Sequence, residues 1–70
     1  MNNEELKQEI LSLLEDREVL WISEIHRKLI SFDSKISWAR VSKLLQQLES
    51  QGQIEHQIYG RLKTYRIKRV

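Results

Sequence analysis

The sequence predicts an α+β domain with three helices, a short first strand and a C-terminal β-hairpin. Three segments space their apolar residues three or four positions apart, which is the repeat of an amphipathic helix. Near the end of the chain, two β-prone runs flank a glycine that can form a tight turn. The chain has 70 residues, the size of one small unit, so we expect a single domain over residues 1–70.

The first helix is predicted to begin at Asn2 or Asn3, whose side chains can accept from the free N–H groups of a first turn. It is expected to end between Glu15 and Arg17. The apolar positions of this segment repeat at helical spacing and are Leu6, Ile10, Leu13 and Leu14. We expect these residues to pack in the core, with pairing to a second subunit as the alternative.

A short edge strand and a second helix are predicted next. Residues 19–22 are β-prone but too few for a long ladder. Ser23 can cap a helix over residues 24–30, which is so short that its stability must depend on packing. Two aromatic residues nearby are expected to enter the core, Trp21 from the strand and Phe32 where the chain turns after the helix.

A third helix is predicted from Ser37, a favourable N-cap, to Ser50, and Gly52 is placed to end it in the left-handed conformation. One side carries an apolar stripe made of Val41, Leu44, Leu45 and Leu48. The other side has no acidic residue before Glu49 and consists of Ala39, Arg40, Ser42, Lys43, Gln46, Gln47 and Ser50. Arginine, lysine, glutamine and serine side chains hydrogen-bond phosphates and base edges, so this face is a candidate nucleic-acid surface. A solvated surface that contacts nothing is the alternative.

The rest of the chain predicts a hairpin. Residues 54–59 and 62–67 are rich in β-branched and aromatic side chains, and Gly60-Arg61 between them favours a turn. Among the hairpin residues, Tyr65 and Ile67 are expected to meet the core, Tyr59 to pack within the hairpin, and Lys63 to point outward.

Charge is distributed unevenly along the chain. Residues 1–34 hold four basic and eight acidic residues, whereas residues 35–70 hold eight basic and two acidic residues. The net charge of the whole chain is only +2, so the basic surface belongs to one part of the molecule. This asymmetry indicates a surface for a polyanion such as nucleic acid, although a solvated basic tail would give part of the same count.

Composition argues against several other classes of protein. The sequence contains no cysteine, and His26 and His56 stand apart from any cluster at metal-ligand spacing. It contains no nucleophile–base pair, glycine-rich phosphate loop or zinc-protease motif. We therefore expect no catalytic, metal or cofactor site and no small-molecule ligand. No apolar run approaches the length of a bilayer span, which gives the expectation of a cytoplasmic protein, nucleoid-associated if prokaryotic, with no membrane partner.

The run from Ile36 to Ile54, followed by Gly60-Arg61 and Tyr65-Arg66-Ile67, resembles the recognition helix, strand and wing of winged helix-turn-helix regulators. The resemblance covers nearly the whole chain and lies in the order and spacing of many weak signals. It implies sequence-specific binding to double-stranded DNA by a small transcription regulator, with the Ser37–Ser50 helix in the major groove and the 54–68 hairpin as wing. The contact residues that it implies are Ser37, Trp38, Ala39, Arg40, Ser42, Lys43, Gln46, Gln47, Arg61 and Lys63.

Several alternatives stay open at the level of sequence. Arg40 and Lys43 could read guanine or grip phosphates, and Gln46 or Gln47 could pair with adenine. Trp38 lies at the edge of the apolar stripe and could pack in the core, join a subunit contact or face DNA. The alternative function is a winged helix that serves as a protein-interaction module in a transcription or chromosome complex. A homodimer is an arrangement that the sequence permits.

Overall fold

The computed structural model describes residues 1–17 and 19–69. In chain order, the elements are α1 (Asn3–Arg17), β1 (Leu20–Trp21), α2 (Ile22–Ile30), α3 (Trp38–Ser50), β2 (Ile54–Tyr59) and β3 (Leu62–Ile67). The strands form one antiparallel sheet in the order β1-β3-β2. The predicted α+β class, with three helices, a short first strand and a C-terminal hairpin, is confirmed.

The two long helices begin where the sequence predicted. At α1 the cap is reciprocal, because the Glu5 N–H donates to Asn2 Oδ1 at 2.8 Å and the Asn2 N–H donates to Glu5 Oε1 at 3.2 Å. At α3 the Arg40 N–H donates to Ser37 Oγ at 3.1 Å. Gly52 follows the end of α3 with a φ of 76°, a conformation that favours glycine. Local residues therefore define the starts of both helices and the end of α3.

One hydrophobic core lies between the three helices and one face of the sheet. Its buried residues are Leu6, Ile10, Leu14, Leu20, Ile25, Leu29, Ile36, Val41, Leu44, Leu45, Leu48, Ile54 and Tyr65. Leu13 and Ile67, both predicted to be inward, are partly buried and pack against the edge of this core. No helix within residues 1–17 and 19–69 has the length and apolar character needed to cross a membrane.

Two aromatic residues predicted in the core lie on the surface, so those predictions were wrong. Trp21 is 44% exposed and Phe32 is 63% exposed. Successive residues of a strand face opposite sides, and since Leu20 is buried in the core, Trp21 faces the uncovered side of the sheet. Phe32 lies in the turn after α2, and Ile36 is the residue of the α2–α3 connection that is buried in the core.

The predicted start of α2 was also wrong, because the helix begins at Ile22 rather than after a Ser23 cap. It follows β1 directly. The Trp21 N–H donates to Glu24 Oε1 at 3.3 Å, so a first-turn carboxylate satisfies the backbone at the junction. The strand therefore passes into the helix without a linker.

The hairpin has the predicted boundaries and a two-residue turn. Its register pairs Ile54 with Ile67 at the inner end and Tyr59 with Leu62 at the outer end. Gly60 occupies the turn with a φ of 63°. β3 lies between β1 and β2 and pairs with β1 at Thr64 and Tyr65, so the hairpin is joined to β1 through the middle of β3.

Candidate nucleic-acid interface

The polar face of α3 points away from the core, because the buried stripe occupies the opposite side of the helix. The exposed residues at the start and along the face are Ser37, Trp38, Ala39, Lys43 and Gln46. Those that are half-buried at its flanks are Arg40, Ser42 and Gln47. The helix thus brings together the eight residues that the resemblance had implied for this element.

Arg40 contacts the start of the chain. Its Nε donates to Asn3 Oδ1 at 3.0 Å, and its Nη2 donates to the Met1 carbonyl oxygen at 2.7 Å. These contacts join the first turn of α3 to the segment that leads into α1. A guanidinium carries five N–H donors, so others remain available for a second acceptor.

Asp33 ties the same segment to the turn between α2 and α3. The Lys35 N–H donates to Asp33 Oδ1 at 3.0 Å, and the N-terminal ammonium lies 3.6 Å from Oδ2. The hydrogen bond from Lys35 and then the charge of the ammonium hold the pKa of Asp33 below its ordinary value of 3.8. The start of the chain is therefore held at two points beside the first turn of α3.

Trp38 packs at the surface between α2 and α3. The side chain is 47% exposed, and its ring meets the His26 ring edge-on with centroids 5.3 Å apart. His26 Nε2 lies 3.1 Å from the Ile36 carbonyl oxygen, to which it donates, and this contact fixes the imidazole beside the indole. Trp38 therefore packs against His26, remains largely exposed, and does not belong to the buried core.

Two predicted contact residues lie at the outer end of the hairpin. Arg61 and Lys63 are both exposed. Lys63 Nζ lies 5.4 Å from the centre of the Tyr65 ring, within range of a cation–π contact. The sequence from His56 to Arg69 contains no acidic residue, so no carboxylate along this stretch neutralises them.

A side-chain contact fixes the hairpin relative to the end of α3. Glu49 Oε2 pairs with His56 Nδ1, and the His56 ring lies 6.2 Å from the Tyr65 ring. Tyr65 is itself buried in the core. The base of the hairpin is thus held by packing and by the contact between Glu49 and His56, so that α3 and the hairpin keep a defined relative position.

The predicted cations have no acidic partner in the part of the chain that the structure describes. Within residues 1–17 and 19–69, the ion pairs are Met1 with Asp33, Lys7 with Glu4, His56 with Glu49, and Arg66 with Glu55. Lys43, Arg61 and Lys63 take part in none of these. All three residues are exposed, so their charged groups can meet an anion without first breaking an internal ion pair.

Sequence reasoning missed a group of apolar side chains at the outer end of the hairpin. Ile58 is 65% exposed, Tyr59 is 59% exposed and Leu62 is 43% exposed. Tyr59 was predicted to pack within the hairpin, and its hydroxyl does donate to Gln57 Oε1. All three residues lie within two positions of Gly60, where the ribbon has run past the helices. Closeness to the turn was the signal that could have found them.

A helix, a short strand, two further helices and a C-terminal hairpin, in this order, define the class of the domain, which is the winged helix. Among solved structures, the chain is similar to one from a structural study of the DNA recognition and protein interaction domains of HOP2 and of its homologous DNA pairing properties. The two chains are 27% identical and superpose with a TM-score of 0.76 over 89% of this chain and 97% of the other. No protein-family model matches the chain, and a search of curated proteins finds no match. The predicted winged-helix fold is confirmed.

Proposed function

We propose that this domain binds double-stranded DNA, with α3 in the major groove and the hairpin as a wing on the flanking backbone. The observation that carries the proposal is the pair of exposed surfaces, the polar face of α3 and the outer hairpin, whose cations have no acidic partner within the described residues. An α-helix fits the major groove, and unpaired Lys and Arg side chains supply the phosphate contacts that dominate affinity.

Lys43 and Gln46 are the side chains that we assign to the centre of the helix contact. Both are exposed and lie three residues apart, so they share one side of α3. Lys can donate to guanine O6 and N7 or to a phosphate, and Gln can pair with adenine N6 and N7. Because two of its donor groups already bind the start of the chain, Arg40 is assigned to a phosphate at the edge of the groove.

The similarity to the HOP2 structure supports DNA binding by this domain, since that study concerns DNA recognition. We further propose that binding is sequence-specific, that it serves transcription regulation inside the cell, and that the domain acts by binding without catalysis. Regulation is the finer part of the proposal and rests on the resemblance of α3 and the hairpin to winged helix-turn-helix regulators.

Binding of the purified domain to labelled mixed-sequence duplexes, followed by fluorescence anisotropy, tests the proposal. Affinity is expected to fall steeply between about 50 and 200 mM salt because phosphate contacts release counterions. Lys43→Ala should weaken binding by about 1–3 kcal/mol. Arg17→Ala is the matched control, because it removes the same charge from an exposed position at the end of α1 and should leave binding nearly unchanged.

Absence of binding at about 50 mM salt by a protein that is folded by circular dichroism would reject the proposal. Equal losses from Lys43→Ala and Arg17→Ala would reject the placement of α3 and leave only unspecific attraction. If the domain binds DNA, selection from a random duplex library decides between sequence-specific binding, which yields a consensus sequence, and general binding, which yields none.

A protein-interaction module is the second candidate, and the exposed aromatic residues favour it. Trp21 lies 44% exposed on the open side of the sheet, and Phe32 lies 63% exposed in the turn before α3. Large exposed apolar side chains are common where one protein binds another. Failure to bind DNA, together with a partner whose binding depends on Trp21, would establish this function instead.

A further inference from the structure

The outer end of the hairpin, residues 58–63, is here named the wing tip, and it combines apolar side chains with cations. Ile58, Tyr59 and Leu62 are 65%, 59% and 43% exposed, and Arg61 and Lys63 lie among them. Exposed residues of a surface hairpin are usually polar, because an apolar side chain in water contributes nothing to folding. The apolar residues of the wing tip therefore require another explanation.

The wing tip is the end of a narrow two-stranded ribbon. Cross-strand pairing sets Ile58 beside Lys63 on the face that continues from the core, and Tyr59 beside Leu62 on the opposite face. Gly60 closes the two-residue turn with a φ of 63°. The tip thus presents apolar surface on both faces and a guanidinium at its end.

The charge of the hairpin indicates what kind of partner fits this tip. From His56 to Arg69 the sequence has five basic residues and no acidic residue. Among the described residues, Glu55 of β2 is the one carboxylate that pairs with a cation of β3. Its partner is Arg66, which lies away from the tip. A complementary partner is an apolar surface with negative charge on its rims. The minor groove of DNA offers this, since the sugars and, where a step opens, the faces of the bases lie between two rows of phosphates.

We propose that the wing tip enters the minor groove and that its apolar side chains wedge apart a base step, so that the duplex bends when the domain binds. This inference rests on the proposed DNA binding and names what the wing does there. Apolar side chains that enter a base step partly unstack it and kink the duplex by about 20–90°. Arg61 and Lys63 hold the flanking phosphates, and Ile58 and Leu62 supply the wedge.

The variant Ile58→Thr/Leu62→Thr tests the wedge. Threonine keeps a high strand propensity and removes the apolar ends of two exposed side chains, so the fold is expected to survive. Val19→Thr is the matched control, since Val19 is 46% exposed and lies outside the hairpin. Both proteins are compared with the unaltered domain on duplexes labelled at their two ends for energy transfer, and on duplexes with 2-aminopurine at the flanking step.

Three results are expected from the unaltered domain and from Val19→Thr. Energy transfer between the duplex ends rises on binding, 2-aminopurine fluorescence rises as its base unstacks, and a duplex with one unpaired flanking nucleotide binds at least several-fold tighter than a perfect one. An unpaired nucleotide helps because the duplex is already easy to kink. In Ile58→Thr/Leu62→Thr all three effects should be lost, while salt-dependent binding to the perfect duplex remains.

The outcomes separate the wedge from the binding on which it rests. A domain that binds DNA but leaves it straight and stacked overturns the wedge and leaves the proposed function intact. Bending by Ile58→Thr/Leu62→Thr equal to that of the unaltered domain also overturns it. A folded domain that binds no DNA rejects the proposed function and the wedge together, and capture of a protein partner through Ile58 and Leu62 would then define the wing tip as a protein contact.

Discussion

α3 and the hairpin separate their buried residues from their exposed residues in different ways. In α3 the division follows the face of the helix, with Val41 and Leu48 buried on one side and Lys43 exposed on the other. In the hairpin the exposure of a residue depends on its distance from the helices. Ile54 is 1% exposed, whereas Ile58, on the same face of the same strand, is 65% exposed. A sequence pattern that reports faces therefore identifies the helix surface and does not identify the wing tip.

The largest expected effect comes from the two isoleucines of β2. Ile54→Ala should destabilise the domain by about 2–5 kcal/mol, because it empties a fully packed position. Ile58→Ala removes the same atoms from an exposed position and should change stability by no more than about 0.5 kcal/mol. Urea denaturation followed by circular dichroism measures both. Equal losses of stability would mean that burial does not decrease from the inner to the outer end of the hairpin. An Ile54→Ala protein that fails to fold, beside a folded Ile58→Ala protein, would support that decrease.

A smaller effect is expected at the start of α3, where the helix surface is anchored by its cap. Ser37→Ala removes the acceptor of the Arg40 N–H and should cost about 1 kcal/mol of stability. Ser37→Asn supplies another good capping side chain and should restore most of that loss. Thermal denaturation of the two variants decides the point, and a loss that Asn fails to restore would assign Ser37 a role other than capping.

Ser37 also explains why so much of the fold was predictable from the sequence. A cap depends on residues three positions apart, and a helical stripe repeats within a few turns, so both signals are local. The same holds for the turn at Gly60, whose φ of 63° was expected from glycine. Boundaries of α1, α3 and the hairpin followed from such signals.

The wrong predictions depended on contacts that no local pattern reports. Trp21 is as hydrophobic as a core residue, but its position depends on which side of the sheet the helices cover, and they cover the side of Leu20. Arg40 lies on the polar flank of α3, as predicted, yet its guanidinium binds Asn3, which is 37 positions away in sequence. The composition of the candidate interface was therefore predictable, and the availability of each side chain was not.

The third prediction concerns Arg40, which lies on the polar side of α3 but is half-buried and binds the start of the chain. Arg40→Ala should lower stability by about 0.5–1 kcal/mol, since two hydrogen bonds to the start of the chain are lost at a half-buried site. Arg40→Lys keeps the charge but cannot reproduce the two-armed contact, so it should lose a similar amount. Lys43→Ala should leave stability unchanged. Urea denaturation compares the three, and a fully stable Arg40→Lys protein would mean that only the charge matters.

The smallest effect is expected at Asp33, which holds the same segment through its charge. The pKa of Asp33 is below 3.8 because the Lys35 N–H and the N-terminal ammonium favour the carboxylate. A carboxyl group with a lowered folded-state pKa adds stability that is present above its unfolded value and is lost as the pH falls through the folded value. The unaltered domain should therefore exceed Asp33→Asn in stability at neutral pH, and the difference should shrink below pH 3.8.

Thermal denaturation of the unaltered domain and Asp33→Asn from about pH 7 to about pH 2.5 measures this difference. Asn can still accept from the Lys35 N–H, so what the variant loses is the charge that faces the N-terminal ammonium at 3.6 Å. About 1 M salt should reduce the difference at neutral pH, because screening weakens an exposed pair. A difference that stays constant over the whole pH range would show that the charge of Asp33 does not hold the start of the chain, and Arg40 would then be its principal attachment to α3.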